Sequence, residues 1–217
     1  MHCHRSHAAM AVAGMAAGLI AAFALSGCAG TTSAGGTSAG QASGAGQQPA
    51  RHRGPAGFAW FRSRPTPDSW HRVSLPDGTA VLSYPRSLHP LHGDKGTLTE
   101  GITTKSGSVL VYLNVTPRQG NETLLNWPDF RVQHLLEDNA SAATRAGQAT
   151  GLEFRGGRGS CVLDSYTTKA HANHYREIAC FVQGAHGASV LVAATAAADW
   201  GSYAGLLEEV VNAYAVS

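Results

Sequence analysis

Gly159-Ser-Cys-Val-Leu-Asp-Ser-Tyr-Thr-Thr168, the short polar loop Lys169 to Asn173, and His174-Tyr-Arg-Glu-Ile-Ala-Cys-Phe-Val182 decide the fold of this chain. Both flanking runs are rich in β-branched and aromatic residues, so the spacing predicts an antiparallel hairpin. Centred on its loop, the hairpin sets Cys161 opposite Cys180. Two cysteines facing each other in an oxidising compartment form a disulfide. Closing a loop of this size contributes about 3 kcal/mol in the chain-entropy model. A redox or metal pair would call for C-x-x-C spacing or further ligands nearby, so a structural role is expected. The same hairpin brings Asp164 near Arg176. A cross-strand ion pair there would contribute ~0.2–1 kcal/mol, and the alternative is a carboxylate placed in a cleft.

Outward from the hairpin, Trp70 to Leu75 and Thr79 to Tyr84 predict strands joined by a Pro76-Asp77-Gly78 turn. Tyr84-Pro85 ends the second, because proline cannot donate to a ladder. After a loop from Leu88 to Asp94, a strand over Leu98 to Thr104 leads across Gly107 into Val109 to Thr116. There Val109, Val111, Leu113 and Val115 alternate with Leu110, Tyr112 and Asn114, which predicts a strand largely buried on both faces. Asn126 is expected to cap a helix over 126–139, with Pro128 in its first turn and Val132, Leu135 and Leu136 as its apolar stripe. Further strands are expected around Gly151 to Arg155 and over Ser189 to Thr195. Asp199 is the expected N-cap of a last helix, in which Trp200, Tyr203, Leu207, Val210 and Tyr214 recur at three and four residues. These elements define an α+β fold, an antiparallel β-sheet of about six to seven strands flanked by helices and closed by a C-terminal amphipathic helix.

The front of the chain has another character. Ala8 to Leu25 is apolar behind His2, His4, Arg5 and His7. It is shorter than the roughly 20 residues that span a bilayer and ends at small residues, so residues 1–27 predict a signal peptide. Leu25-Ser26-Gly27-Cys28 resembles the bacterial lipobox. That resemblance implies cleavage before Cys28 and lipidation of its thiol, hence a membrane anchor on the extracytoplasmic face. Residues 28–57 are almost entirely Gly, Ala, Ser, Thr, Gln and Pro, a composition that cannot bury enough apolar surface to order itself. Such a linker has an r.m.s. span of about 30 Å. Residues 58–217 are then expected to form a single globular domain.

Lys and Arg number 16 against 14 Asp and Glu, a net charge of +2, which gives no reason to expect a nucleic-acid partner. The basic residues are unevenly placed: Arg51, Arg53, Arg62, Arg64, Arg72 and Arg86 face only Asp68 and Asp77 in the same stretch. A collar of this kind is either solvated surface or a contact to anionic phospholipid or wall polymer, at about 1 kcal/mol per basic residue. His89, His92 and Asp94 form an H-x-x-H-x-D pattern in a loop, and His171 and His174 sit at the cysteine hairpin. These are zinc-compatible residue types, but a site needs three or four converging ligands. No G-x-S-x-G elbow, P-loop or dinucleotide fingerprint occurs, and no cofactor is expected. Two classes of function therefore stand. One is a non-enzymatic binding or accessory module whose partner is an envelope protein, lipid or wall polymer. The other is a metal- or carboxylate-dependent envelope enzyme using the His89/His92/Asp94 loop or Asp164.

The order of elements resembles the Mog1/PsbP-like α/β/α sandwich over about residues 70–217. The resemblance rests on the hairpin ending in Ser83-Tyr84-Pro85, the buried strand before helix 126–139, Val162-Leu163-Asp164 leading into a Tyr-rich strand, and the closing amphipathic helix. Small actinobacterial lipoproteins of the LpqN type share that fold, and the Arg-, Ala- and Gly-rich composition agrees with such a GC-rich source. The resemblance implies binding in preference to catalysis and brings no catalytic residue pattern with it.

Overall fold

The computed structural model describes residues 57–217. The expected signal peptide (1–27), Cys28 and nearly all of the expected linker (28–57) lie outside the described residues. No helix among the described residues is long and apolar enough to cross a membrane.

The cysteine hairpin lies toward one edge of a seven-stranded antiparallel sheet. Its strands are β3 (His89–Pro90), β4 (Leu98–Thr103), β5 (Val109–Pro117), β6 (Ala140–Phe154), β7 (Gly157–Thr168), β8 (His174–Gly184) and β9 (Ala188–Ala196). Their spatial order is β3-β4-β5-β9-β8-β7-β6. A second, three-stranded sheet joins β1 (His71–Ser74), β2 (Ala80–Tyr84) and β10 (Ala215–Val216). Cys161 pairs with Cys180 in the β7–β8 ladder, and a disulfide joins them across a Cα separation of 4.1 Å. The hairpin turn places His171 and Ala172 at positive φ, with Thr168 and Asn173 hydrogen-bonded beneath it.

One face of the large sheet carries Cys161, Ile178, Cys180, Leu191 and Ala193, and β5 adds Val111, Leu113 and Val115. Helix α2 (Trp200–Ala213) covers this face with Leu207, Val210 and Val211, beside Leu82 of the small sheet and Phe58 and Phe61 of the N-terminal segment. The alternate residues Val162, Ala179, Phe181, Val190 and Val192 point to the other face, against Trp127 at the start of helix α1 (Trp127–Asp138). Helices thus lie on opposite faces of an antiparallel sheet, which is the expected α/β/α layering. Trp127 is the anchor of α1: it is buried, and its indole Nε1 donates to the Ala179 carbonyl at 3.0 Å.

Several expectations are corrected in detail. Asp164 does not pair with Arg176. The register that joins the cysteines puts Asp164 opposite Glu177 and Ser165 opposite Arg176. Successive side chains alternate faces, so Arg176 emerges on the α2 side, where its guanidinium lies 4.6 Å from the Trp200 ring centroid. The strand expected near Gly151 is the end of the fifteen-residue β6. Its Ala-Ser-Thr-Gly composition carries almost no apolar periodicity, because it is a sheet edge and mostly exposed. Neither Asn126 nor Asp199 caps its helix through the side chain. Asn126 Oδ1 instead accepts from the Thr123 backbone N–H at 2.6 Å, folding the preceding loop. In α1 the buried set is Trp127, Pro128 and Leu135, while Leu136 is exposed. Finally, β5 is buried on one face only: Val111, Leu113 and Val115 are fully covered, but Tyr112 on the other side is 37% exposed.

A candidate ligand cleft beneath helix α1

That half-open face of β5 locates the site. Helix α1 packs mainly over β6, β7 and β8, reaches β9 through Trp127, and leaves part of the β5–β9 face open. The uncovered strip is a cleft of about 480 Å³, within the range of small-molecule sites. Tyr112 and Asn114 of β5, Val192 and Ala194 of β9, Tyr175 and Glu177 of β8 and Tyr166 of β7 form its floor and walls, and α1 closes it with Arg131, His134 and Leu135. The Tyr166 and Tyr175 rings stack with centroids 5.5 Å apart. Asn114 is held from below, its Nδ2 donating to Thr99 Oγ1 at 3.1 Å. At the rim His134 Nε2 lies 3.1 Å from Asp138 Oδ2.

The polar centre is a buried trio. Arg131 Nε donates to Glu177 Oε1 at 2.7 Å, and Nη2 lies 2.6 Å from the same oxygen. Asp164, directly opposite Glu177, is fully buried beneath them. With both acids ionised, Glu177 Oε2 and both Asp164 oxygens have no partner. Burial first, and then the neighbouring Glu177 charge, push the Asp164 carboxyl up to about 8, against the opposing pull of Arg131. Asp164 therefore holds its proton at neutral pH, and its hydroxyl is the donor that Glu177 Oε2 otherwise lacks. One guanidinium, one carboxylate and one neutral acid make a charge-balanced floor, which is how such groups tolerate burial. Arg145 of β6, paired with Asp164 in the neighbouring ladder, instead reaches Asp129 of α1 at 2.7 Å and ties the helix to the sheet edge. Burial also raises the Tyr166 and Tyr112 hydroxyls, so both stay protonated donors.

The structure does not bring His89, His92 and Asp94 together. All three are exposed. His89 lies near Glu100, which faces the α2 side, whereas Asp94 lies near Tyr112, which faces the cleft. Among the described residues no three His, Cys, Asp or Glu side chains are grouped to hold a metal ion. His171 and His174 stay exposed at the hairpin turn, where His174 Nδ1 shares a 3.0 Å hydrogen bond with Thr167 Oγ1. A second buried acid, Glu100, sits with Tyr84 beside His71 and His89, and burial raises it above the ordinary carboxylate range. Cys161 and Cys180 are bonded to each other inside the core.

Of the candidate functional residues read from the sequence, only Asp164 belongs to this site. Arg131, Glu177 and the three tyrosines carry no functional reading there, although a signal exists. Once Cys161 faces Cys180, strand alternation puts Asp164 and Glu177 on one face, opposite each other and in line with Val162, Ala179 and Phe181. Two acids at apolar-facing positions of paired strands mark a buried polar site.

No family model and no curated protein sequence matches the chain. Solved structures similar in shape include the following three. The cyanobacterial PsbP of Synechocystis sp. PCC 6803 is 11% identical, with a TM-score of 0.45 over 69% of this chain and 93% of that one. A Pseudomonas aeruginosa protein of unknown function, PA94, is 7% identical, with a TM-score of 0.42 over 66% of this chain and 94% of that one. A Bacteroides thetaiotaomicron protein is 13% identical, with a TM-score of 0.41 over 69% of this chain and 49% of that one.

Proposed function

We propose that the chain is a lipid-anchored, extracytoplasmic binding module of the cell envelope, of the Mog1/PsbP-like actinobacterial type its sequence resembles, and that it takes its ligand in the α1 cleft. The observation that carries the cleft assignment is the charge-balanced Arg131–Glu177–Asp164 floor under walls of Tyr112, Tyr166 and Tyr175. Rigid amphipathic rings around a few fixed polar groups suit recognition of a molecule that is part apolar and part hydrogen-bonding. The lipobox-like Leu25 to Cys28 supports the anchor, and the low-complexity stretch after it supports a spacer.

Two experiments test the reading. Replacing Cys28 by Ala should abolish incorporation of labelled fatty acid; labelling that persists removes the anchor. Tyr112→Arg, which fills the mouth of the cleft, should eliminate retention of envelope extract components that bind the immobilised wild-type domain. Equal retention by both forms removes the cleft. The rival reading is a carboxylate-dependent enzyme, favoured by the proton on Asp164 near neutral pH. Asp164 lies under Arg131 and Glu177 and away from the cleft surface, so Asp164→Asn should leave ligand retention intact.

A further inference from the structure

A second polar site lies on the small sheet, apart from the cleft and independent of it. The β6–β7 turn presents Arg155 there. Gly156 follows at φ +83°, and a Cβ at that position would stand 1.9 Å from the Val216 carbonyl oxygen. The turn is locked further by the Val216 N–H, which donates to the Arg155 carbonyl at 2.9 Å. The Arg155 guanidinium is aimed as firmly: Nη2 donates to the Ala213 carbonyl at 3.1 Å and to Thr66 Oγ1 at 3.3 Å. Thr66 Oγ1 shares a 2.7 Å hydrogen bond with Ser83 Oγ. The segment that delivers Thr66 is itself pinned, since the Arg62 and Arg64 N–H groups donate to Asn212.

Arg72 is the strand partner of Ser83 in the β1–β2 ladder, so its side chain shares the outer face of this sheet, opposite the one from which Leu82 enters the core. Arg72 and Arg155 therefore border one groove of about 370 Å³, floored by Val81, Ala215 and Val216. Among the described residues neither arginine has a carboxylate within 4.0 Å. Arg155 Nε is buried without an acceptor. The contrast with Arg131, whose carboxylate is already in place, is direct. Burial and the charge of Arg72 hold the Arg155 guanidinium below its ordinary range, as expected for two cations lacking an anion between them.

We propose that the groove between Arg72 and Arg155 is a binding site for a phosphate group. Both arginines line the groove, Arg72 from β1 and Arg155 from the β6–β7 turn. A tetrahedral phosphate offers oxygens to both, whereas a carboxylate offers only two oxygens in one plane. The phosphate has two sources, the headgroup of an anionic lipid or a soluble phosphate ester.

The test uses the purified Cys28→Ala chain and its Arg72→Gln derivative, a change on an exposed strand position that breaks no hydrogen bond described above. Glycerol 3-phosphate should shift the amide resonances of Gly156 and Ala215 in the first, and Arg72→Gln should weaken this binding by roughly tenfold or more. In the vesicle arm, phosphatidylcholine membranes with and without phosphatidylglycerol are compared by flotation. Any attachment through the apolar residues 8–25 is common to both proteins and both membranes. A phosphatidylglycerol-dependent gain that Arg72→Gln removes supports the site with a lipid as source. Binding of glycerol 3-phosphate without that gain supports the site with a soluble ester as source. No response to either probe, or responses that Arg72→Gln leaves unchanged, overturns it.

Discussion

Asp164 and Glu177 stand directly opposite each other in the β7–β8 ladder, both fully buried, with Arg131 gripping the Glu177 carboxylate from helix α1. An aspartate titrates near 3.9 in an unfolded chain, and here it is pushed up to about 8 by burial and by Glu177. Between these values the folded protein binds a proton that the unfolded chain has lost. Stability from this group is thus complete below about 4 and is lost progressively as the pH rises to about 8. The groups facing Asp164 are Glu177 from β8, Arg131 from α1, Arg145 from β6 and Tyr166 from its own strand. This group should therefore move thermal unfolding of the wild type to lower temperature as the pH rises from about 4 to about 8, with no further contribution above that. Asp164→Asn keeps a donor toward Glu177 and removes the titration, so its profile should be flatter. Parallel profiles would show that Asp164 does not hold its proton.

Arg131→Met should be costly out of proportion to the exposure of the residue. It leaves the Glu177 carboxylate buried without its cation, a loss of about 3–5 kcal/mol by analogy with broken buried ion pairs. Adding Glu177→Gln to Arg131→Met should recover part of that loss, because the stranded charge is gone. Urea unfolding of the two variants decides it. If the double variant is no more stable than the single one, the loss lies in packing and not in charge.

Trp127→Ala should loosen α1 selectively. The substitution removes a fully packed indole and its hydrogen bond to Ala179, and truncations of this kind cost about 3–5 kcal/mol. Amide exchange should accelerate across residues 127–138 far more than in β7 and β8. Uniform acceleration throughout the sheet would contradict the role of Trp127 as the local anchor.

The Cys161–Cys180 disulfide should be worth about 3 kcal/mol, the chain-entropy value for a loop of this length. Both residues are completely buried. Thiol labelling of the oxidised protein should find neither, even in denaturant, and prior reduction should lower the urea midpoint. A midpoint insensitive to reduction would mean that the ladder holds its register without the bond.

The hairpin was legible because its two strands combine β-branched residues with a cysteine in each, and those cysteines fix the register on their own. The α2 stripe was legible for a similar reason: Leu207 and Val210 keep helical spacing and both enter the core. Illegible were features whose cause lies outside their own segment. β5 carries a doubly apolar pattern, yet Tyr112 remains partly exposed because α1 packs mainly over β6, β7 and β8. β6 is specified by its partner β7, so its own composition signals a loop. The Asp164–Glu177 pair was hidden by an adjacent attraction: an acid near an arginine suggests an ion pair, and one residue of register sends Arg176 to the opposite face. The histidines of the 89–94 loop are close in sequence, and the sheet separates their surroundings.

The ladder between β6 and β7 is interrupted at three places, near Ala140, Arg145 and Thr150, and Gly151 adopts a positive φ of 71° at the last of them. Each interruption turns the free rim of β6 and sets its outward N–H and C=O groups out of line with a straight strand. The rim is thereby divided into stretches too short to recruit a neighbour's backbone, and its Ala, Ser and Thr side chains offer little to a flat apolar zipper. At this edge the sheet is a poor template for a further copy of itself. Crowding many molecules onto one surface should therefore grow no fibre from the β6 rim.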